Sequence, residues 1–395
     1  MKKLSIRDID LHGKKVLMRV DFNVPLDADR NVTDDTRIQA ALPSIQYISE
    51  QGAVLVLAAH AGRPKGEKKP EFSLAPAAQV LSSLLGKKVM FLDDCIGDAV
   101  KRQIASAQPG DVILLENVRF YKGETANDSE FARQLAEGCD LAVNDAFGTA
   151  HRAHASNVGV TAFLSPAAAG FLMEKEIEYF GRVIDEPKRP VVAILGGAKV
   201  SGKLQVITNM MQKVDKLLIG GGMTFTFFRA KGLEVGTSLV EEDLIDTAKK
   251  ILEDAATSNV ELLLPTDCVV ADKFAADAAS KVVSVNEIPE DWMGLDIGPE
   301  TTALFTKVLN DVKTIVWNGP MGVFEMDAFA HGTMDIARVV AESDAVSIIG
   351  GGDTVSAIKK AGVADRVSFI STGGGASLEL LEGKALPGIE ALTDK

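Results

Sequence analysis

The feature that most constrains this chain is an alternation. Short apolar runs such as VLMRV, AVLVLAA, VILLE, VVAIL, KLLIGGG, TIVWN and VSIIGGG recur along nearly the whole sequence, separated by longer amphipathic stretches. Runs of that length, each followed by helical periodicity, read as strands with crossover helices, and repeated βα units imply mostly parallel sheets. The expected class is therefore α/β, with doubly wound, Rossmann-like sheets. Ligands in such sheets bind beyond the carboxyl ends of the strands, so the residues after each apolar run are where function is sought.

Those residues divide the chain in two. In the first half VLMRVDFNVP, AVLVLAAHAGRP, VILLENVRF and LAVNDAFGTAHRAH each end in Arg or His, and Arg37 opens the first long helical pattern. In the second half VVAILGGAK, KLLIGGGM, TIVWNGPMGVFE, VSIIGGGDT and FISTGGGAS end in glycines with few charged side chains. Arginine offers a planar fork that grips phosphate or carboxylate in a bidentate way. Glycines at a helix start let backbone N–H groups and the positive end of the dipole reach an anion. One half reads as built for a small anionic metabolite, the other for the phosphates of a nucleotide. Between them AFLSPAAAGFLMEKEIEYFGRVIDEPKRP has the pattern of a long amphipathic helix that should stop near Pro187 and Pro190.

The formal net charge of −13 argues against non-specific binding to nucleic acid or anionic membrane, without opposing a small anion bound by a local cluster of arginines. No apolar run approaches the roughly 20 residues that span a bilayer, and nothing resembling a targeting segment stands at the start, so a cytoplasmic location is expected. The three cysteines, Cys95, Cys139 and Cys268, are too far apart to suggest a disulfide framework or a thiolate metal site. His151 and His154 share an i, i+3 spacing but lack further ligands, which disfavours zinc. Asp353, within GGGDT, is the better candidate for Mg²⁺, which favours a single carboxylate with phosphate oxygens and waters.

Residues 197 to 203 match the GxxxxGK spacing of a P-loop, but Leu204 stands where such a loop carries the Ser or Thr that meets the metal. No GxGxxG opens a helix with an acidic residue about 20 positions on, which disfavours a nicotinamide-dependent dehydrogenase. A phosphometabolite-binding protein without turnover is the non-catalytic alternative.

Taken together, RVDFNVP at 19–25, Arg37, HAGRP at 60–64, ENVRF at 116–120, GTAHRAHAS at 148–156, GGAKVSGK at 196–203, WNGPMGVFE at 317–325, GGGDT at 350–354 and STGGGASLE at 371–379 resemble the phosphoglycerate kinase family, in its order and from end to end. The resemblance implies two doubly wound domains joined by a hinge. Residues 1–173 with 376–395 would form the 3-phosphoglycerate domain, 174–189 the connecting helix and linker, and 190–375 the nucleotide domain. It implies that Asp21, Phe22, Asn23, Arg37, His60, Ala61, Gly62, Arg63, Arg119 and Arg152 bind 3-phosphoglycerate or 1,3-bisphosphoglycerate. Lys203, Gly221, Gly222, Asn318, Pro320, Glu325, Gly351, Gly352, Asp353 and Thr354 would bind ATP or ADP, with Mg²⁺ on Asp353. Arg37, Lys199 and the N–H groups of Gly373, Gly374 and Gly375 would stabilise the transferring phosphoryl group. The family reading also favours a monomer that closes about its hinge. The P-loop likeness then becomes a near miss, with Lys199 and Lys203 serving phosphates from a turn of another design.

Overall fold

The computed structural model describes residues 2–395. The chain forms two compact units. One comprises the residues up to Glu178 together with Ala385–Lys395, and the other is Tyr179–Lys384. The helix Phe171–Ile184 carries the chain across that boundary and stops before Pro187, where proline chemistry requires it to.

The first unit is built on six parallel strands: β1 (Lys15–Arg19), β2 (Val54–Ala58), β3 (Met90–Phe91), β4 (Val112–Leu114), β5 (Leu141–Asn144) and β6 (Ala167–Ala169). Their spatial order is β3-β4-β2-β1-β5-β6, so the connections leave β1 in opposite directions, toward β2 on one side and β5 on the other. That reversal opens a crevice beyond the carboxyl ends of β1, β2 and β5. Strand residues such as Val16, Met18, Leu55 and Leu57 are fully buried, and they pack with Ile38 and Ile45 of the helix Thr36–Glu50. Burial on both sheet faces is why these strands read as continuous apolar runs.

The chain's last residues close this unit. Leu4 N–H donates to Thr393 O at 2.9 Å, Thr393 N–H to Ala167 O at 2.9 Å, and Gly388 N–H to Ala150 O at 2.8 Å. The crossing back falls at Ala385, later than the expected 376. Residues 376–384 belong to the second unit because the helix Gly375–Leu381 packs on the helix Leu204–Met210, where Asn209 Nδ2 donates to Leu381 O at 2.6 Å.

The second unit has β7 (Val191–Leu195), β8 (Lys216–Ile219), β9 (Glu261–Leu263), β10 (Asp267–Ala271), β11 (Ser280–Ser284), β12 (Met293–Ile297), β13 (Thr314–Asn318), β14 (Val346–Gly350) and β15 (Phe369–Ile370). Six of them form a parallel sheet in the order β15-β14-β13-β7-β8-β9, the doubly wound order with its switch point between β7 and β13. Trp317 sits wholly buried in this core and donates its indole N–H to Gly319 O at 2.7 Å. The other three strands make a separate antiparallel sheet, β11-β10-β12, inserted between β9 and β13. The expectation of βα units throughout fails here. The segment DCVVADKFAADAASKVVSVNEIPEDWMGLDI supplies three strands without the intervening helices.

Candidate functional site

In the first unit three of the expected basic residues share one cleft, whose lining includes neither Arg37 nor His60. Arg63, Arg119, Arg152 and His154 line a cleft of about 330 Å³ with Lys65, Gly66, Lys122 and Thr125. Close to Arg119 and His154 lies a buried network. Arg19, the last residue of β1, is 2% exposed. Its Nε donates to Ser156 Oγ at 2.8 Å, its Nη2 meets His60 Nδ1 at 2.9 Å, and its Nη1 donates to Val20 O. Ser156 in turn donates Oγ–H to Glu124 Oε1 at 2.6 Å and its N–H to Oε2 at 2.9 Å. Glu124 is 0% exposed, so a carboxylate and a guanidinium are buried together with one serine between them. Burial pulls the Arg19 guanidinium below its ordinary value, and the charges of Glu124 and Asp21 oppose that shift.

Arg119 is nearly buried, and burial followed by the neighbouring charge of Arg19 brings its pKa down to about 10. It donates Nη1–H to Gly62 O at 2.8 Å, while its Nε is buried without a hydrogen-bond partner. A buried cationic donor left unspent at a cleft is a place where an anion gains more than it loses on leaving water. Outside that lining, exposed Arg37 is tethered by its Nη1 to Asp21 Oδ2 at 2.8 Å, and Asn23 Oδ1 accepts Gly62 N–H at 2.8 Å.

The two histidines here, unlike the arginines beside them, are not cations. Because Arg19 can only donate, His60 Nδ1 must accept and its ring is neutral, consistent with a pKa held well below the usual 6.5 by burial and then by Arg19. His154 is brought down from 6.5 to about 4 by burial and the surrounding arginines. A histidine with a lowered folded value takes up a proton more readily when unfolded. Its stability contribution is complete above about 6.5 and is lost as pH falls toward 4. The denaturation midpoint of the protein is therefore expected to drop between pH 7 and 5, and less steeply in His154→Gln, as urea titrations at the two pH values would show.

In the second unit the switch point holds a cavity of about 420 Å³. One end is backbone. Gly197, Gly221, Gly222 and Pro320 line it, and Gly221 adopts φ +71° where a Cβ would stand 2.6 Å from Gly197 N. The other end is apolar, with Phe225, Phe228, Leu239, Phe274, Leu295 and Val323, of which Leu239 and Phe274 are exposed at 47% and 61%. Glu325 and Asp353 also reach this cavity. An apolar slot continuous with a glycine-lined turn has the chemistry of a site for a planar ring carrying an anionic tail.

The turn between β7 and the helix Leu204–Met210 carries both lysines. Lys199 is exposed, whereas Lys203 is partly buried and donates Nζ–H to Asn318 Oδ1 at the end of β13. Burial brings the Lys203 pKa down to about 8, against the charges of Asp353 and Glu382. Asp353 is exposed in the first turn of the helix Gly352–Lys360, preceded by Gly351 at φ +88°.

A family model described as phosphoglycerate kinase matches residues 6–384. The phosphoglycerate kinase of Geotalea daltonii is 60% identical over 394 residues, covering 99% of each chain, and that of Thermosynechococcus vestitus is 60% identical over 400 residues, covering 100% of each. The chain belongs to the phosphoglycerate kinase family. Its fold agrees. The phosphoglycerate kinase structure from Coxiella burnetii superposes with TM-score 0.93 at 45% identity, and that from Pyrococcus horikoshii with 0.84 at 34%, each covering 98% of both chains.

Several residues expected in a phosphoglycerate kinase site sit elsewhere than at a surface. Phe22 is 0% exposed, its side chain packed within the apolar core. Thr354 is also 0% exposed and its hydroxyl accepts Gly319 N–H at 2.7 Å, which fixes the turn after β13. Ala61 and Gly62 act through backbone oxygens that accept from Asn117 Nδ2 at 2.7 Å and Arg119 Nη1 at 2.8 Å. Of the three glycines opening the helix Gly375–Leu381, Gly373 already donates its N–H to Ser371 Oγ at 3.2 Å, while Gly374 and Gly375 are exposed. Missed from the sequence were Arg19, Glu124 and Ser156, although the Arg of RVDFNVP inside an apolar strand was a visible signal. Lys65, Lys122, Thr125 and the apolar wall of the second cavity were missed too. Among the described residues no helix is long and apolar enough to cross a membrane.

Proposed function

We propose that the cleft of the first unit binds 3-phosphoglycerate, that the cavity of the second binds ATP or ADP, and that Arg37 and Lys199 stabilise the phosphoryl group in transit. The activity is that of the family, a phosphotransferase acting on a carboxylate to give an acyl phosphate, 1,3-bisphosphoglycerate. The separation of the two chemistries carries the assignment: a cleft of arginines with an unpartnered guanidinium nitrogen in one unit, and an apolar slot ending in glycines in the other.

A carboxylate acceptor of pKa ~4 is ionised at neutral pH, so no general base is needed, and the lowered pKa values of His60 and His154 make both weak proton acceptors. What remains is positioning and charge neutralisation of a loose transition state. Arg119, Arg63 and Arg152 would hold the substrate's phosphate, with Arg37, tethered by Asp21, nearer the reacting carboxylate. Gly221, Gly222 and Pro320 would border the nucleotide, Glu325 its ribose, and Lys203 its phosphates. Gly351 and Gly352 would leave room for those phosphates, and Asn318 would orient Lys203. Both half-sites lie in one chain, so a cytoplasmic monomer suffices, and transfer requires them to meet about the hinge with water excluded.

Mg²⁺ suits Asp353. A single exposed carboxylate beside Lys203 leaves places for phosphate oxygens and waters, and among the described residues no group of three His, Cys, Asp or Glu could hold a metal by itself. When bound, the ion would neutralise charge on the β- and γ-phosphates.

Incubation with ATP, Mg²⁺ and 3-phosphoglycerate in the presence of hydroxylamine is expected to give hydroxamate only when all three are present. ADP formed without 3-phosphoglycerate would instead mark an ATPase and overturn the assignment. A second expectation concerns pH. A bound triphosphate favours the protonated form of Lys203, which in the free protein is lost above about 8. ATP affinity should fall as pH rises from there, by at most about tenfold per unit. Lys203→Arg should flatten that dependence in titration calorimetry.

A further inference from the structure

We propose that Glu241 is a positioning residue for phosphoryl transfer, holding the turn that presents Lys199 and Lys203. The proposal rests on the assignment of those lysines to the phosphates made above. The turn from Gly197 to Lys203 has no regular structure, and its crest, Ala198, Lys199, Ser201 and Gly202, is exposed. A crest of that kind costs entropy to hold in one shape.

Glu241 reaches it from a sequence distance of 40 residues. Its Oε1 accepts Ser201 Oγ–H at 2.6 Å and its Oε2 accepts Ser201 N–H at 2.9 Å. Val200 N–H and the charge of Lys199 also act on this carboxyl, which stays below its ordinary value despite burial. Both carboxylate oxygens are thus committed in charge-assisted bonds to the residues between the two lysines.

The other end of the clamp is firm. Glu241 N–H donates to Thr226 Oγ1 at 3.1 Å, and Thr226 is 1% exposed in the helix Thr224–Ala230. That helix begins directly after the Gly221–Gly222 turn, where Thr224 Oγ1–H donates to Gly221 O at 2.7 Å and Met223 N–H donates to Gly197 O at 3.0 Å. Glu241 therefore ties the lysine-bearing turn to the neighbouring glycine turn, so that the two keep one spacing while they hold a nucleotide. It touches no reacting atom.

Purified Glu241→Ala should lose about tenfold to hundredfold in kcat, the scale on which misplacement by an ångström acts, with KM for 3-phosphoglycerate changed less than about twofold. Glu241→Gln should recover to within about threefold of the parent, because its amide oxygen can accept Ser201 N–H while its amide N–H donates to Ser201 Oγ. Ser201→Ala should lose activity too, and the Ser201→Ala/Glu241→Ala double variant should be no worse than Glu241→Ala alone. Near-parental kcat in Glu241→Ala, failure of Gln to rescue, or losses that multiply in the double variant would each overturn the proposal. A parallel Lys199→Ala variant separates the levels. If it loses turnover while Glu241→Ala does not, only the clamp is refuted; if it turns over normally, the underlying role of Lys199 is refuted and the clamp with it.

Discussion

Arg37→Ala is expected to lower kcat/KM for 3-phosphoglycerate by about 10² to 10³, the range seen when one preorganised donor to a developing charge is removed. The size follows from where the side chain stands. It is 49% exposed, held by Asp21 at 2.8 Å, and outside the apolar core, so folding does not depend on it. Chemical denaturation should give the parental midpoint, while steady-state rates collapse. Asp21→Asn should lose less, because it loosens the tether and leaves the charge. A variant with parental turnover would remove Arg37 from the transition state altogether.

The second large effect is on stability. Glu124→Ala should cost about 3–5 kcal/mol, because it strips a fully buried guanidinium of its closest buried counter-charge. Ser156 would then lose the acceptor of both its N–H and its hydroxyl, and Arg19 would lean on a partner with nothing behind it. Urea unfolding read by the first unit should show the loss. Replacement of both Arg19 and Glu124 by apolar residues of similar volume should recover much of it, since a well-packed apolar pair can match a buried ion pair. Should Glu124→Ala prove neutral, the network's charges would have to be compensated from elsewhere.

How far the sequence foretold this structure varied with the kind of interaction involved. Parallel strands buried on both faces leave a nearly unbroken apolar signature, so both large sheets were legible, as were the Arg, His and Gly residues at their carboxyl ends. The antiparallel sheet β11-β10-β12 was not. Its strands include exposed residues, Val282 at 52% among them, and follow one another without helices, so no βα rhythm marks them. The ionisation of His60 was hidden for a different reason. Motif chemistry identifies a residue type at a strand end, but the neutral ring follows from Arg19 lying 2.9 Å away, a contact across 41 residues of sequence. Likewise Phe22 and Thr354 stand within functional motifs, yet both side chains are wholly buried in packing contacts. A motif records a neighbourhood, and within it only three-dimensional contacts separate the groups that face outward from those that support them.

The inserted antiparallel sheet carries a further implication. Leu295 of β12, Cys268 of β10 and Phe274 beyond it line the apolar part of the cavity together with Phe225 and Phe228 of the helix after β8, whereas the glycine and lysine turns belong to the large parallel sheet. If the ring of the nucleotide lies against the apolar part and its phosphates against the glycines, recognition of the base is shared between the inserted sheet and the helix that begins at the Gly221–Gly222 turn, while the phosphates are handled by the large sheet alone. Lineages could then drift in which base they prefer by altering a peripheral module, while the machinery that moves the phosphoryl group stays as it is.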